Sequence, residues 1–360
     1  MPDCGSQIIL CDLPVRFDTY KGCSHGCSYC FVSRKADISQ IATWESAAAL
    51  RSWIAGKRTG HTAWCDWDIP LHWGGMSDPF QPAERVKGRS LEALRVFAET
   101  QYPFVVSTKS ALIAEEPYFS LIKQCNCVVQ FSIVTPEYDK IEKGASTYKQ
   151  RLEAARKIAE HKRVIFRLQP YIPGAFRQVL NNLREFAEAG VYGIVVEAMK
   201  YTKPRLPELV PVGNDYVYPL SILLPQFRAI REAAHKVGMK FYAGENRLRS
   251  MGDDLCCCGV DGMGWRTNKA NLNHALYDKD NFAYTEKMRR VGTADCFDAK
   301  MQSTMGKKVI EISSYADLMG GGNSASVPIP REYNPALYER PGGADAAILT
   351  RRLEGFRKTG

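Results

Sequence analysis

Seven short apolar runs, separated by longer amphipathic stretches, constrain the fold of this chain more than any other feature. The runs fall at 14–20, 69–75, 103–110, 127–134, 163–170, 191–198 and 240–244. Helical periodicity occupies the intervals 83–100, 115–123, 147–161, 176–189 and 221–237. Runs rich in Val, Ile and Phe and hardly broken by polar residues read as strands covered on both faces. Their alternation with helices predicts a parallel sheet with crossover helices, a partial or full α/β barrel of about six units plus one strand. Beyond 246 glycines, charges and short apolar pieces take over. We therefore expect a core barrel over 1–245 and a C-terminal extension over 246–360 that caps the barrel or shapes a substrate site. Within it, Met319–Asn323 reads as flexible and Ala344–Phe356 as a final helix.

No apolar run is long enough to span a bilayer. The start, MPDCGSQIILCDLPVRFD, lacks a basic segment followed by an apolar one. A cytoplasmic protein without membrane contact is expected. In such a chain the 12 cysteines point to metal or redox chemistry rather than disulfides. Three stand together at Cys23, Cys27 and Cys30, and three are consecutive at Cys256, Cys257 and Cys258. Cys4, Cys11, Cys65, Cys125, Cys127 and Cys296 are scattered.

The segment TYKGCSHGCSYCFV carries C-x-x-x-C-x-x-C. Closely spaced thiolates let one loop wrap an iron–sulfur cubane. Three ligands for four irons leave one corner open, and an open coordination site is what metal catalysis uses. A structural zinc would want a fourth ligand, which His25 inside the loop could supply.

The triplet, with Tyr29 before its last cysteine, resembles the signature of the radical S-adenosylmethionine (SAM) superfamily. The resemblance covers about 20–200 and is closest to the spore photoproduct lyase-like branch. It implies a partial (β/α)6 barrel holding a 4Fe–4S cluster on Cys23, Cys27 and Cys30. It also implies reductive cleavage of SAM to a 5′-deoxyadenosyl radical that abstracts hydrogen from substrate. In GGMSDPFQPAE, Gly74 and Gly75 match the glycine turn beside the methionyl group, and Ser77 and Asp78 match polar SAM contacts. Lys109 in STKS matches a lysine near the SAM carboxylate. Ser132 in QFSIVT matches a ribose- or carboxylate-side serine, and Tyr29 belongs to the same cofactor set. The positions from Gly74 onward fall at the C-terminal ends of expected strands, where α/β barrels place their sites. The lyase's hydrogen-donating cysteine before Ser-Asp has no counterpart in Gly74-Gly75-Met76, which sets photoproduct repair itself in doubt. An electron donor such as flavodoxin or ferredoxin is implied as partner.

The formal charge of +9 favours a polyanionic partner. A basic run over Lys140–Arg167, the Tyr-, Pro- and Lys-rich loop Tyr201–Tyr218, and ENRLR at 245–249 suit bases and phosphates, or equally a substrate lid. Ser77, Asp78 and Ser132 also suit helix caps. The stretch GDDLCCCGVDG reads as a second iron–sulfur site with Cys296, as a hydrogen- or electron-donating thiol, or as plain core packing. Cys125 and Cys127 read as core, and Cys65 as packed under the cluster loop. The leading expectation is a radical SAM enzyme that modifies or repairs a nucleobase in DNA. The alternatives are the same chemistry on a small metabolite, nucleoside or peptide, and a non-catalytic iron–sulfur or zinc module that senses redox state or binds nucleic acid.

Overall fold

The computed structural model describes residues 1–283 and 285, apart from 5, 35–36 and 213–214. The flexible stretch at 319–323, the helix at 344–356 and Cys296 lie outside the described residues.

All seven expected strands form. They are β1 (Val15–Phe17), β2 (Leu71–Trp73), β3 (Phe104–Thr108), β4 (Cys127–Ser132), β5 (Arg163–Tyr171), β6 (Gly193–Ala198) and β7 (Lys240–Ala243). Each pairs in parallel with the next, so sheet order follows chain order. That is the wall of a barrel rather than a doubly wound sheet. A short strand, Asp3–Cys4, adds antiparallel to β1 at the outer edge. Among the described residues no pairing joins this edge to β7, so the barrel is partial.

The helices are α1 (Ala47–Ile54), α2 (Arg89–Thr100), α3 (Tyr118–Gln124), α4 (Tyr148–Ala159), α5 (Phe176–Glu188) and α6 (Leu220–Lys236), with short helical turns at Glu84–Lys87 and Leu272–Tyr277. The helix expected over 83–100 is interrupted at Gly88, whose φ of +60° leaves a single turn, Glu84–Lys87, ahead of α2. A capping box between Thr147 and Gln150 starts α4. Alternate strand residues (Val106, Val129, Phe166, Ile194, Phe241) join the main apolar core with helix side chains such as Leu94, Phe97, Leu183 and Phe227. Their neighbours Val105, Val128, Ile165, Val195 and Tyr242 form the opposite, inner layer.

Residues 256–265 close that inner layer. Cys256, Cys258 and Val260 pack among its apolar side chains. Arg163 Nη1 donates to the carbonyls of Gly259 at 3.1 Å and Asp261 at 2.5 Å. This first part of the expected extension packs at the N-terminal ends of the strands, as a floor to the barrel. The expectation of a cap over the mouth does not hold for it. A flap of three short strands, Lys200–Tyr201, Val210–Val212 and Asp215–Val217, stands between β6 and α6 and was not anticipated. No helix among the described residues is long and apolar enough to cross a membrane.

Candidate functional site

From β1 the chain passes through a small hairpin, Tyr20–Lys21 with Ala42–Thr43, into the cysteine loop. Gly22 has φ +84°, and a Cβ there would stand 2.4 Å from the Gln40 carbonyl oxygen, so only glycine fits. Side chains distant in sequence fix the loop. Gln81 accepts from the Ser24 amide at 2.9 Å and donates to the Gly22 carbonyl at 3.1 Å. The shelf 141–145 accepts from Ser28 N and donates to the His25 carbonyl. Gly144 permits this approach, since a Cβ would lie 2.4 Å from Ser24 O.

Cys23, Cys27 and Cys30 are free, half-buried and within electrostatic reach of one another. Burial pushes Cys23 up to about 11 and Cys27 up to about 12. The protein alone therefore does not hold Cys23 and Cys27 as thiolates; a bound metal cation would. His25 is not available as a fourth ligand. Its Nδ1 pairs with the Gly144 carbonyl at 2.9 Å. Its Nε2 stands 3.0 Å from Asp78 Oδ2 in a buried ion pair whose angle is poor for a hydrogen bond. The zinc alternative that invoked His25 loses its ligand.

Tyr29 is buried, and its hydroxyl donates to Glu142. Glu142 in turn pairs with the buried Arg151 at 2.7 Å. The ring faces Lys109, whose ammonium is 5.7 Å from the ring centroid and acts electrostatically on Cys27. Lys109 has no carboxylate within ion-pair distance among the described residues. An unpaired cation beside the cluster loop is what an incoming carboxylate would find.

Gly74 and Gly75 follow β2 as expected. Gly74 has φ +89°, and a Cβ would lie 2.5 Å from Ser107 O; at Gly75 it would lie 2.9 Å from Arg16 Cδ. The turn is anchored by Asp18, which accepts from Met76 N at 3.1 Å and Ser77 N at 3.3 Å. Burial pushes the Asp18 carboxyl up to about 7. Ser77 Oγ donates to Tyr20 O at 2.7 Å. Asp78 accepts from Phe80 N (2.9 Å), Thr108 Oγ1 (2.8 Å) and Lys109 N (2.6 Å) besides pairing with His25. Both side chains were expected to touch cofactor. In the structure they join the loop to the ends of β2 and β3. Ser132, at the end of β4, is half-buried, and its carbonyl accepts from Arg151 at 2.6 Å.

Above the apolar floor the inner face is polar. His72 Nε2 meets Ser107 Oγ at 3.0 Å, and Ser107 donates to Gln130 Oε1 at 3.0 Å. Arg167 reaches the same oxygen at 3.2 Å and Glu197 at 3.5 Å. Sequence reasoning missed this lumen, along with Asp18, Gln81, Glu142 and Gly144. Inward alternation in the strand sequences was its only signal.

The residues read as nucleic-acid contacts are largely used internally. Arg151 is buried, Lys157 donates to Ala114 O, and Lys162 donates to Cys125 O. The hydroxyls of Tyr201 and Tyr218 meet at 3.0 Å inside the flap. Arg247 is held by Glu245 and Tyr218 O, and Arg249 is buried. Cys125 and Cys127 are buried as expected, and Cys65 is buried with its thiol on Trp67 O. Exposed aromatics sit instead at the rim of the cluster loop. Phe31 follows Cys30, and Trp44, 62% exposed, carries Lys21 over its ring at 5.5 Å.

No family model matches the chain, and no curated protein matches it. Solved structures do, and what they show is the fold, an open and mostly parallel α/β barrel. The fold is shared with spore photoproduct lyase. A variant of that enzyme with bound AdoMet and dinucleoside spore photoproduct aligns with a TM-score of 0.50 at 17% identity, over 64% of this chain and 76% of that one. Spore photoproduct lyase complexed with the dinucleoside alone gives 0.48 at 18% identity over the same shares. SuiB of Streptococcus suis bound to precursor peptide SuiA gives 0.47 at 11% identity, over 66% of this chain and 50% of that one. At these identities the likeness is one of fold.

Proposed function

We propose that this chain is a radical SAM enzyme whose 4Fe–4S cluster rests on Cys23, Cys27 and Cys30, and whose substrate is a nucleobase in DNA. The observation that carries the enzyme reading is the cysteine loop: Cys23, Cys27 and Cys30 are free and act electrostatically on one another, with the histidine between them committed to Asp78 and Gly144. The residues fit both cofactors. The glycine turn at 74–75 packs too closely on Ser107 O and Arg16 for any Cβ, which fixes the backbone after β2, and Lys109 offers a charge without a carboxylate partner. When bound, cluster and SAM together supply a one-electron cleavage that yields a carbon radical able to abstract hydrogen.

The chain's own residues do the rest. Gln81, Gly144 and the Asp78–His25 pair hold the loop. Lys109 orients the SAM carboxylate. The wall of His72, Ser107, Gln130, Arg167 and Glu197 presents fixed donors and acceptors to a polar substrate edge. A base buried in a duplex has to be turned out to reach such a lumen.

The DNA reading is supported by Trp44 with Lys21 at the rim, an aromatic face joined to a cation as bases and phosphates require. It is supported too by the net charge of +9. The dinucleoside bound by spore photoproduct lyase belongs to that protein and sets the precedent for the fold. The test is gel retardation of single- and double-stranded oligonucleotides at increasing salt, with base analysis after anaerobic turnover. Steeply salt-dependent retardation and a modified base are expected. Equal mobility at low salt, with turnover on free nucleosides or peptides, would overturn the substrate assignment and leave the enzyme class standing.

A further inference from the structure

The floor of the barrel brings together four cysteines that the proposed reaction does not use. Cys256 and Cys258 are buried in the inner apolar layer, and Cys11 and Cys257 pack against it. In an extended strand three consecutive side chains would diverge. Here a turn at Cys257–Cys258, followed by Gly259 at φ +66°, bends the chain so that all three pack in or against the inner layer. A Cβ on Gly259 would lie 2.5 Å from Ile165 Cδ1, so the turn is seated hard against β5.

Cys11 comes from the other end of the sequence and is held there by a polar clasp. Asn268 Nδ2 donates to the carbonyls of Ile8 at 3.0 Å and Cys11 at 3.1 Å. Asn273 Nδ2 donates to Leu10 O at 2.8 Å, and Asn271 Nδ2 to Asp12 at 3.0 Å. His274 pairs with Asp12 at 2.9 Å. Gln130 Nε2 donates to Cys258 O at 2.9 Å, tying the turn to β4 as well.

A second observation points to an anion at this spot. Arg249 is 5% exposed, and among the described residues no carboxylate stands within ion-pair distance of it. Its Nε has no partner, while its Nη2 donates to the neutral Asn246 Oδ1 at 2.7 Å and Gly244 O at 3.5 Å. A buried guanidinium left without a counter-charge is costly. A divalent metal held by four thiolates carries a net charge of about −2, and a thiolate-bound iron–sulfur cluster is likewise anionic. Either answers Arg249.

We propose that Cys11, Cys256, Cys257 and Cys258 hold a second, thiolate-bound metal centre at the floor of the barrel. Its ligand set lies wholly within the described residues, so Cys296 is not needed. Among the described residues no three ligands already stand at the spacing of a single ion. Loading therefore turns side chains about a backbone the clasp has fixed. Each ligating thiol gives up its proton as the metal binds, and no oxidation is involved.

The test isolates this site from the first. In the full chain, Cys23, Cys27 and Cys30 are replaced together by Ala. Zinc, iron and acid-labile sulfide are then counted per chain after anaerobic purification and after reconstitution with iron and sulfide. Stoichiometric zinc, or iron with matching sulfide, is expected to remain and to be lost on adding Cys11→Ala or Cys258→Ala. Which element remains tells zinc from cluster. A triple variant without stoichiometric metal overturns the proposal, as does metal retained after both additions. If these variants do not fold, the wild-type chain is alkylated before and after strong chelation and mapped by mass spectrometry. Labelling of the four floor cysteines only after chelation is expected; labelling unchanged by chelation contradicts the site.

Discussion

Replacing Asp78 with Ala separates two roles for that residue. Its carboxylate serves three hydrogen-bond donors, Phe80 N, Thr108 Oγ1 and Lys109 N, and the His25 imidazole. Each buried donor left unpaired costs about 1–3 kcal/mol. Because all share one carboxylate the costs do not add, and the loss is that of a broken buried ion pair, about 3–5 kcal/mol. The urea midpoint of the full chain should fall accordingly, and iron per chain should fall with it, since His25 and the loop lose their tether. Asp78→Asn keeps an acceptor and should lose less. Were Asp78 instead a SAM ligand alone, Asp78→Ala would melt like wild type, keep its iron and only weaken SAM binding. That result would refute the reasoning.

Other outcomes follow from the same structure. Lys109→Met should keep fold and iron while weakening SAM about 10- to 100-fold, the equivalent of a charge-assisted hydrogen bond at about 1.5–3 kcal/mol, measured by equilibrium dialysis. Burial pushes the His72 pKa down to about 3, helped by the charges of Arg167 and Arg16. The folded protein therefore refuses a proton that the unfolded chain accepts below about 6.5. Its contribution is whole above that value and is lost as pH falls towards 3. At pH 5 the cost is about 2 kcal/mol, from roughly 1.5 units at 1.36 kcal/mol each. His72→Gln should flatten that part of the pH–stability curve, and an unchanged slope would contradict the burial. Gly144→Ala drives a Cβ to 2.4 Å from Ser24 O and should cut iron incorporation far more than it lowers the melting temperature. Trp44→Ala should weaken oligonucleotide retardation by about 1–3 kcal/mol without affecting SAM cleavage.

The barrel was legible because strands buried on both faces read as unbroken apolar runs, and the helices between them as amphipathic ones. Gly88 broke one expected helix because a positive φ ends a helix that its side-chain periodicity would otherwise continue. The three-stranded flap was missed because strands of two or three residues carry no periodicity. The cysteine loop stood out by its spacing together with the downstream GGMSDP and STKS segments. What holds it was not: Gln81, Glu142 and Gly144 lie far along the chain and meet it only in the fold. Ser77 and Asp78 were found, but a residue type cannot show that its oxygens are already committed. The same limit misled the reading of Tyr201, Tyr218, Arg151 and Arg249, whose polar ends turn inward.

The cluster's open iron corner is most directly tested by electron paramagnetic resonance of the dithionite-reduced, anaerobically reconstituted protein, with and without SAM, followed by assay for 5′-deoxyadenosine. The account predicts a cubane signal that shifts when SAM is added, with 5′-deoxyadenosine formed by the wild type, and neither the SAM-dependent shift nor 5′-deoxyadenosine in Cys27→Ala. A spectrum indifferent to SAM, or a tetrahedral zinc bound at Cys23, Cys27 and Cys30, would contradict it.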